Sequence, residues 1–169
     1  MLMTANELLN KTITVEIADA KVSSDPDRVL ATYSLGSCIG VCLYCDSEKT
    51  GGMLHFLLPD SSVNPQRARE NPFLYADTGM KALLEELAAR GISKNEIKVK
   101  VAGGAKIIER VSDGFEIGKR NYLALRKFLW KNGMFIDSED VGGSLPRSLF
   151  MIIDNGKVIV RSAGSEKVI

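Results

Sequence analysis

The sequence predicts an α+β fold with mixed or antiparallel β-sheets. Strand-like segments crowd the first third of the chain, ahead of any segment with helical periodicity. Two longer segments carry an apolar stripe at helical spacing, and further strand-like segments lie between and after them. Because this order lacks the regular strand–helix alternation of a doubly wound parallel sheet, mixed or antiparallel sheets are favoured.

The chain begins with a series of predicted strands. Residues Ile13 to Ile17 alternate β-branched and polar side chains, the pattern of a half-buried strand. Arg28 to Ser34 follows a Ser-Ser-Asp-Pro-Asp turn and has a similar pattern. Two more strands are predicted at Ile39 to Tyr44 and Gly52 to Leu58, joined by a polar turn over residues 46–50.

A polar loop from Pro59 to Asn71 leads into the first predicted helix. Asn71 with Pro72 is a helix start signal, because asparagine caps the first turn and proline fits the first helical position. We therefore predict a helix from about Phe73 to Arg90 that stops at Gly91.

The second half of the chain combines one more helix with further strands. The helix is predicted from Ile117 to Lys131 and is closed by Asn132-Gly133. Asn155-Gly156 is a hairpin signal, because both residues tolerate positive φ. The predicted strands of this half are Ile97 to Ala102 (ending in Gly103-Gly104), Met134 to Ser138, Phe150 to Ile153 and Val158 to Arg161.

Composition limits the possible classes of function. With 169 residues, 45% of them hydrophobic, we expect one domain over residues 1–169 with its own core. A net charge of +1 argues against a basic face for nucleic acid. Met1 to Asn10 lacks a secretory signal pattern, and the apolar runs are too short to span a membrane. Three cysteines without paired spacing predict free thiols in a reducing cytoplasm.

The candidate chemistry lies in residues 31–58, which hold all three cysteines and His55, the one histidine. Cys38 lies where a Leu-Gly-Ser turn leads into a strand, so the backbone N–H groups of Gly36, Ser37 and Cys38 could converge on an oxyanion. A nearby histidine would help to form the reactive thiolate. The competing interpretation is structural, with Cys38 as a core thiol and His55 as a buried histidine.

Contact between Cys38 and His55 depends on strand register. If Cys45 paired with Gly51, His55 would lie on the wrong face for Cys38. An offset of one residue, or a glycine bulge, would put His55 opposite Gly40 and on the correct face. The pattern permits this contact without forcing it.

The group that would orient the imidazole is left open by the pattern. A nucleophile–base pair generally has such a third group. Thr32, Ser34 and several carboxylates are close to the pair in sequence.

Metal-binding interpretations compete for the same cysteines. Cys38, Cys42 and Cys45 have the Cys-x3-Cys-x2-Cys spacing of radical S-adenosylmethionine enzymes, whose thiolates converge on an iron–sulfur cluster. On a strand, however, Cys38 and Cys42 share a face and Cys45 points the other way. The same argument disfavours zinc. We therefore expect no metal and no cofactor.

Several short motifs, spread over roughly Thr14 to Val160, point to one family. They are Leu35-Gly36-Ser37-Cys38, Gly51-Gly52-Met53-Leu54-His55-Phe56-Leu57-Leu58-Pro59, Tyr75-Ala76-Asp77, Gly103-Gly104-Ala105, Ile117-Gly118-Lys119-Arg120-Asn121 and Asp140-Val141-Gly142-Gly143. In order and spacing they resemble the CheD family of chemoreceptor glutamine deamidases.

The resemblance implies a site, a fold and a reaction. The family's catalytic Cys, His and Thr fall on Cys38, His55 and Thr32, with Gly36 and Ser37 as oxyanion-hole candidates. The implied fold is a mixed β-sandwich flanked by helices, similar to the catalytic domain of deamidating bacterial toxins. The implied reaction converts a receptor glutamine to glutamate through a thioester, and receptor methylesterase activity is a further expectation.

The resemblance also implies partners. The substrates would be the cytoplasmic domains of methyl-accepting chemoreceptors, which would be the protein's only link to a membrane. A CheC-type phosphatase is an expected partner. The alternative function is a non-catalytic adaptor that binds receptors and that phosphatase. We expect a cytoplasmic monomer.

Overall fold

The computed structural model describes residues 10–106 and 116–169. Within these residues, ten strands form two five-stranded sheets. In chain order the strands are β1 (Thr12–Thr14), β2 (Asp19–Ser23), β3 (Val29–Leu35), β4 (Ile39–Cys45), β5 (Thr50–Phe56), β6 (Ile97–Gly103), β7 (Ser138–Val141), β8 (Arg147–Ile152), β9 (Val158–Ser162) and β10 (Ser165–Val168).

Both sheets are mixed. The first sheet has the order β1-β3-β8-β9-β10, and the second has the order β2-β5-β4-β6-β7. The pairs β1–β3 and β6–β7 are parallel, while the other pairs are antiparallel. The predicted α+β class with mixed sheets is therefore confirmed.

Three α-helices lie wholly within the described ranges: α1 (Pro65–Glu70), α2 (Ala76–Ala89) and α3 (Ile117–Lys131). Short 3-10 turns occupy Ser61–Val63, Pro72–Leu74 and Lys94–Glu96. In the described part of the chain, no helix has both the length and the apolar character that a membrane span requires.

The sheets and helices stack in layers, with β4 in the middle. One face of β4 carries Cys42 and Tyr44 into the core between the two sheets. The other face carries Val41 and Leu43 into a second core, shared with α2 and α3. All seven residues of β4 are buried because the strand is covered on both faces. The sandwich with flanking helices is thus confirmed, and the likeness to deamidating toxins stays a prediction.

The first helix prediction was wrong at its start. Asn71 does cap the chain, since its side-chain oxygen accepts a hydrogen bond from Phe73 N at 3.0 Å. The capped element is the 3-10 turn Pro72–Leu74, and α2 begins only at Ala76. The predicted loop Pro59 to Asn71 also contains α1, which is capped by Asn64 and begins at Pro65.

Other differences concern edge strands and one turn. The predicted strand Met134 to Ser138 is wrong, because the strand there is β7 and Met134 lies before it as a buried core residue. The edge strands β2 and β10 were not predicted. The β8–β9 hairpin is confirmed, although its loop is longer than two residues and only Gly156 of the Asn-Gly pair has positive φ.

Candidate active site

The register of β4 against β5 puts His55 on the face predicted for the cysteine contact. Cys45 pairs with Thr50 and not with Gly51, so His55 lies opposite Gly40. Cys38 comes two residues before Gly40, on the same face of the strand path. Diagonal neighbours on one face are about 7–8 Å apart, within reach of a ring side chain. The offset register that the pair requires is therefore present.

Thr32 joins His55 from the opposite sheet. The Thr32 hydroxyl lies 2.8 Å from His55 Nδ1 and 2.7 Å from the backbone oxygen of Val15. A hydroxyl has one proton, and the Val15 carbonyl can only accept, so Thr32 donates to Val15 and accepts from His55 Nδ1–H. This chain of hydrogen bonds assigns the neutral tautomer that leaves Nε2 with a free lone pair.

The His55 ring is enclosed by protein. Its solvent exposure is 0%, and no residue within the described ranges forms a hydrogen bond with Nε2. Gly40 opposite has no side chain, and Leu149 and Leu35 close over it, with Leu149 Cδ1 at 2.6 Å from where a Cβ would stand. Burial lowers the pKa of His55 to about 4, so the imidazole is neutral at neutral pH.

Cys38 is half-buried at the start of β4. Burial raises the pKa of its thiol, and its own backbone N–H, which stabilises the thiolate, acts in the opposite direction. At rest the site therefore contains a neutral thiol and a neutral imidazole, and no preformed thiolate–imidazolium pair.

The turn that carries Cys38 spans residues 36–38, and each of its three carbonyl groups accepts a hydrogen bond from a neighbouring segment. Ala105 N donates to Gly36 O at 2.8 Å, and Gly104 N donates to Cys38 O at 2.9 Å. The third bond comes from Asn121 Nδ2, which donates to Ser37 O at 3.0 Å. The cysteine thus lies on a fixed backbone, as a nucleophile in a precise site requires.

The oxyanion candidates differ in their availability. Gly36 N–H already donates to Ser34 O at 3.0 Å, across a turn in which Ser34 has a φ of 57°. For Ser37 and Cys38 no backbone acceptor is present among the described residues. Ser37 is therefore the better supported of the two predicted candidates, and Cys38 N–H joins it.

Glycines explain how the segments that donate these hydrogen bonds come so close to the cysteine turn. A Cβ on Gly103 would stand 2.2 Å from Cys38 O, and the φ of Gly103 is +114°. A Cβ on Gly118 would stand 2.6 Å from Gly104 O, so α3 packs directly on this backbone. The Gly103-Gly104 pair is therefore structural, and it supports the cysteine turn.

The other cysteines face away from one another. Cys42 lies between the sheets and Cys45 lies under the helices. Burial raises the pKa of Cys42 to about 12, although Lys100 acts in the opposite direction. Cys42 and Cys45 thus point to opposite faces of β4, as strand geometry predicts. Within the described residues, no three His, Cys, Asp or Glu side chains are grouped so that they could hold a metal.

Two contributors to the site had no clear signal in the sequence. Val15 acts through its backbone oxygen, which no residue type reports. Asn121 belongs to one of the short motifs, but the sequence assigned no role to it, and in the structure its side chain is fully buried. Its spacing of three residues from Gly118 on α3 was the one available sign that both face the same neighbour.

Comparison with known proteins identifies a family model that matches part of this chain. A family model described as CheD chemotactic sensory transduction matches residues 57–162. That match begins after His55, so it does not cover Thr32, Cys38 or His55, whose roles stay predictions.

The chain is also similar to whole proteins. It is 45% identical to a protein of Solibacter usitatus over 92% of this chain and 91% of that protein. It is 41% identical to one from Syntrophus aciditrophicus, over 90% and 94% of the two chains, and 36% identical to one from Pyrococcus abyssi, over 95% and 98%. The name of each relative describes a probable chemoreceptor glutamine deamidase CheD. This chain belongs to the CheD family.

Proposed function

We propose that this protein deamidates glutamine side chains of chemoreceptors, with Cys38 as nucleophile and His55 as base. The names of its relatives support the substrate class. The observation that carries the proposal is the Thr32–His55 hydrogen bond of 2.8 Å, because it leaves Nε2 as a free base on the Cys38 face of the sheet.

In the first half-reaction, His55 Nε2 takes the proton of the Cys38 thiol as Sγ attacks the glutamine carboxamide carbon. The new C–S bond moves the carbonyl π electrons onto oxygen and forms a tetrahedral oxyanion. As the carbonyl re-forms, the C–N bond breaks and Nε2–H protonates the leaving nitrogen. Ammonia departs, and a thioester on Cys38 remains.

In the second half-reaction, Nε2 takes a proton from water, whose oxygen attacks the thioester carbon. Collapse of the second oxyanion expels the Cys38 thiolate, which recovers its proton from Nε2–H. The product is a glutamic acid side chain, which gives its proton to ammonia in solution. The sum of both halves is glutamine plus water giving glutamate plus ammonium. No metal or cofactor takes part in this proposal.

The pKa directions determine when the proton moves. Burial raises the pKa of Cys38 and lowers that of His55, so both groups are neutral before attack. Proton transfer therefore accompanies attack, and Thr32 stabilises the imidazolium by accepting from Nδ1–H. The N–H groups of Ser37 and Cys38 would stabilise the oxyanion, typically by about 3 kcal/mol per donor.

The finer expectations from the family belong to the same proposal. Methylesterase activity would use the same acyl chemistry with methanol as leaving group. A CheC-type phosphatase as partner, a cytoplasmic location and a monomeric state follow from the family resemblance, as does one functional domain over residues 1–169.

The test is mass analysis of a cytoplasmic receptor fragment after incubation with the protein. We expect Gln-to-Glu conversion with the unmodified protein and none with Cys38→Ala or His55→Ala. Cys42→Ala is the matched control, because Cys42 is a fully buried thiol in the core between the sheets, four residues beyond Cys38 along the same strand path.

Two results would contradict the proposal. Gln-to-Glu conversion by the Cys38→Ala variant would show that Cys38 is not the nucleophile. Absence of conversion by the unmodified protein, with receptor or phosphatase binding retained, would favour the adaptor function instead.

A further inference from the structure

Asn121 links the two backbone segments that carry the candidate nucleophile and base. Its side-chain Nδ2 donates to Ser37 O at 3.0 Å and to Leu57 O at 2.7 Å. Ser37 precedes Cys38 directly, and Leu57 lies two residues after His55, just beyond β5. One amide group therefore spans the gap between the ends of two strand paths.

The position of Asn121 follows from the close packing of α3. Gly118 allows the helix to rest on the backbone of Gly104 and Ala105, where a Cβ would stand 2.6 Å from Gly104 O. Asn121 is one turn further along the same helix face. The helix thus delivers an amide to the underside of the cysteine turn.

The burial of Asn121 excludes direct substrate contact. Its exposure is 0%, and within the described part of the chain its Oδ1 has no hydrogen-bond partner. Both contacted atoms are carbonyl oxygens, which assigns the donor end of the amide to them. A buried acceptor without a partner costs free energy, so a residue that merely filled this space would be apolar.

The bond to Ser37 O also determines the direction of the Cys38 N–H. The Ser37 carbonyl and the Cys38 N–H belong to one peptide unit, and the described residues contain no cis peptide. In a trans peptide these two groups point in opposite directions. Asn121 therefore turns the Cys38 N–H away from the helix, to the side opposite its own amide.

We propose that Asn121 is a positioning residue for the reaction: its amide orients the Cys38 peptide N–H and fixes the spacing between the Cys38 turn and the His55 strand. This inference rests on the proposed deamidase function for its kinetic test. A second test, on the reactivity of Cys38 itself, needs no substrate.

The test uses Asn121→Leu, which keeps the approximate shape of the side chain and removes both donors without adding charge. We expect kcat for deamidation of a receptor fragment to fall about ten- to hundredfold, with KM little changed. We also expect the pH midpoint of Cys38 alkylation by iodoacetamide to shift upward, because a misdirected N–H no longer stabilises the thiolate. Among the described residues, His55 lies on the Cys38 face of the sheet and the Arg147 guanidinium donates to Gly103 O behind the turn, and both groups are unchanged in the variant.

Asn132→Leu is the matched control. Asn132 caps the C-terminal end of the same helix, far along α3 from Ser37, and its Nδ2 also donates to a backbone carbonyl, Phe128 O at 2.8 Å. It should lower thermal stability without changing kcat or the alkylation midpoint. Asn121→Ala replaces Asn121→Leu if the latter does not fold, as judged by circular dichroism.

The outcomes separate this inference from the proposed function. A folded Asn121 variant with unchanged kcat and unchanged midpoint overturns the inference, as does a rise in KM alone. If the unmodified protein deamidates no receptor fragment, the proposed function fails, and the alkylation midpoint still decides. An upward shift in that case supports the positioning role, and an unchanged midpoint overturns it.

Discussion

At the scale of single residues, the hydroxyl of Thr32 is the group that defines the candidate base. It is completely buried, it comes from the sheet opposite His55, and it has one proton to give. Because that proton goes to Val15 O, the imidazole is the donor on its Nδ1 side. A residue outside the Cys/His pair thus selects the tautomer of His55 that the proposed mechanism requires.

Replacement of this hydroxyl tests its role. Thr32→Val has nearly the same shape and leaves His55 Nδ1–H and Val15 O without partners. We expect the free energy of unfolding to fall by about 1–3 kcal/mol and kcat to fall about ten- to hundredfold. Thr32→Ser keeps the hydroxyl and should retain most activity. Urea unfolding and deamidation assays measure both effects, and equal loss of activity in both variants would contradict this role.

The buried imidazole should also make stability depend on pH. The pKa of His55 is lowered from 6.5 to about 4 in the folded protein. Between these values the unfolded chain binds a proton that the folded protein does not, so the free energy of unfolding falls as pH falls. This loss of stability begins as pH falls below about 6.5, levels off below about pH 4, and amounts to about 3 kcal/mol at most.

The measurement is urea unfolding at a series of pH values, with His55→Gln beside the unmodified protein. The difference in slope between the two proteins isolates His55 from the carboxylates that titrate at lower pH. Identical slopes in this pH window would show that the folded imidazole titrates normally.

At the scale of elements, the end of β6 and the turn before β4 are in direct backbone contact. Gly103 approaches Cys38 O so closely that no side chain fits, and its φ lies in the region that favours glycine. The precision of the cysteine turn therefore depends on a neighbouring strand end, at a residue remote in sequence.

Gly103→Ala should accordingly destabilise the protein by several kcal/mol, roughly 3 or more, because clash and backbone strain add. Gly133→Ala is the control, since Gly133 has a φ of +67° but nothing within 4 Å of the added Cβ. It should lose only about 1 kcal/mol. Chemical unfolding of both variants measures the difference, and similar losses would mean that strain alone, without the clash, explains the glycine.

The elements also show what sequence patterns can predict. Central strands and α3 were predicted within a few residues, because buried strands and an apolar stripe leave clear patterns. The edge strand β10 was missed because all four of its residues are exposed. The start of α1 carried the same Asn-Pro signal that was read at Asn71, but its helix is short and buries only Ala68.

For the candidate site, the sequence named residues but left their geometry open. Cys38 and His55 were named from their pattern, Thr32 was named from the family resemblance, and the roles of all three stay predictions. The register that brings His55 to the cysteine face is a choice between two pairings that differ by one residue, and both were compatible with Gly51-Gly52. The contribution of Thr32 depends on packing between sheets, which strand periodicity does not report.

At the scale of the whole molecule, Arg147 joins the two sheets near their shared end. It begins β8 in one sheet, and its guanidinium donates to Asp140 Oδ1 at 3.2 Å and to Gly142 O at 2.8 Å, at the end of β7 in the other. It also donates to Gly103 O at 3.4 Å, beside the cysteine turn. Arg147 is only 8% exposed, so these bonds between the two sheets are largely shielded from water.

Arg147→Met should therefore cost about 3 kcal/mol, because it leaves Asp140 and the carbonyls of Gly103, Gly142 and Leu145 with fewer partners. Arg147→Lys should recover only part of this, since an ammonium does not reproduce the planar fork. Lys81→Met is the control, because its pair with Glu85 is exposed and should be worth less than about 0.5 kcal/mol. Equal stability of Arg147→Met and Lys81→Met in urea would contradict the tie between sheets.

The Thr32–His55 hydrogen bond has a consequence for how the protein can fail. Its two ends belong to different sheets, so the tautomer of His55, the candidate base, is fixed only while the two sheets stay packed together. In a partly opened molecule with intact sheets, Thr32 would no longer contact His55, and the imidazole proton could lie on either ring nitrogen. If the proposed reaction holds, turnover is expected to vanish when the two sheets first separate, ahead of any loss of secondary structure, so that loss of activity would report that separation.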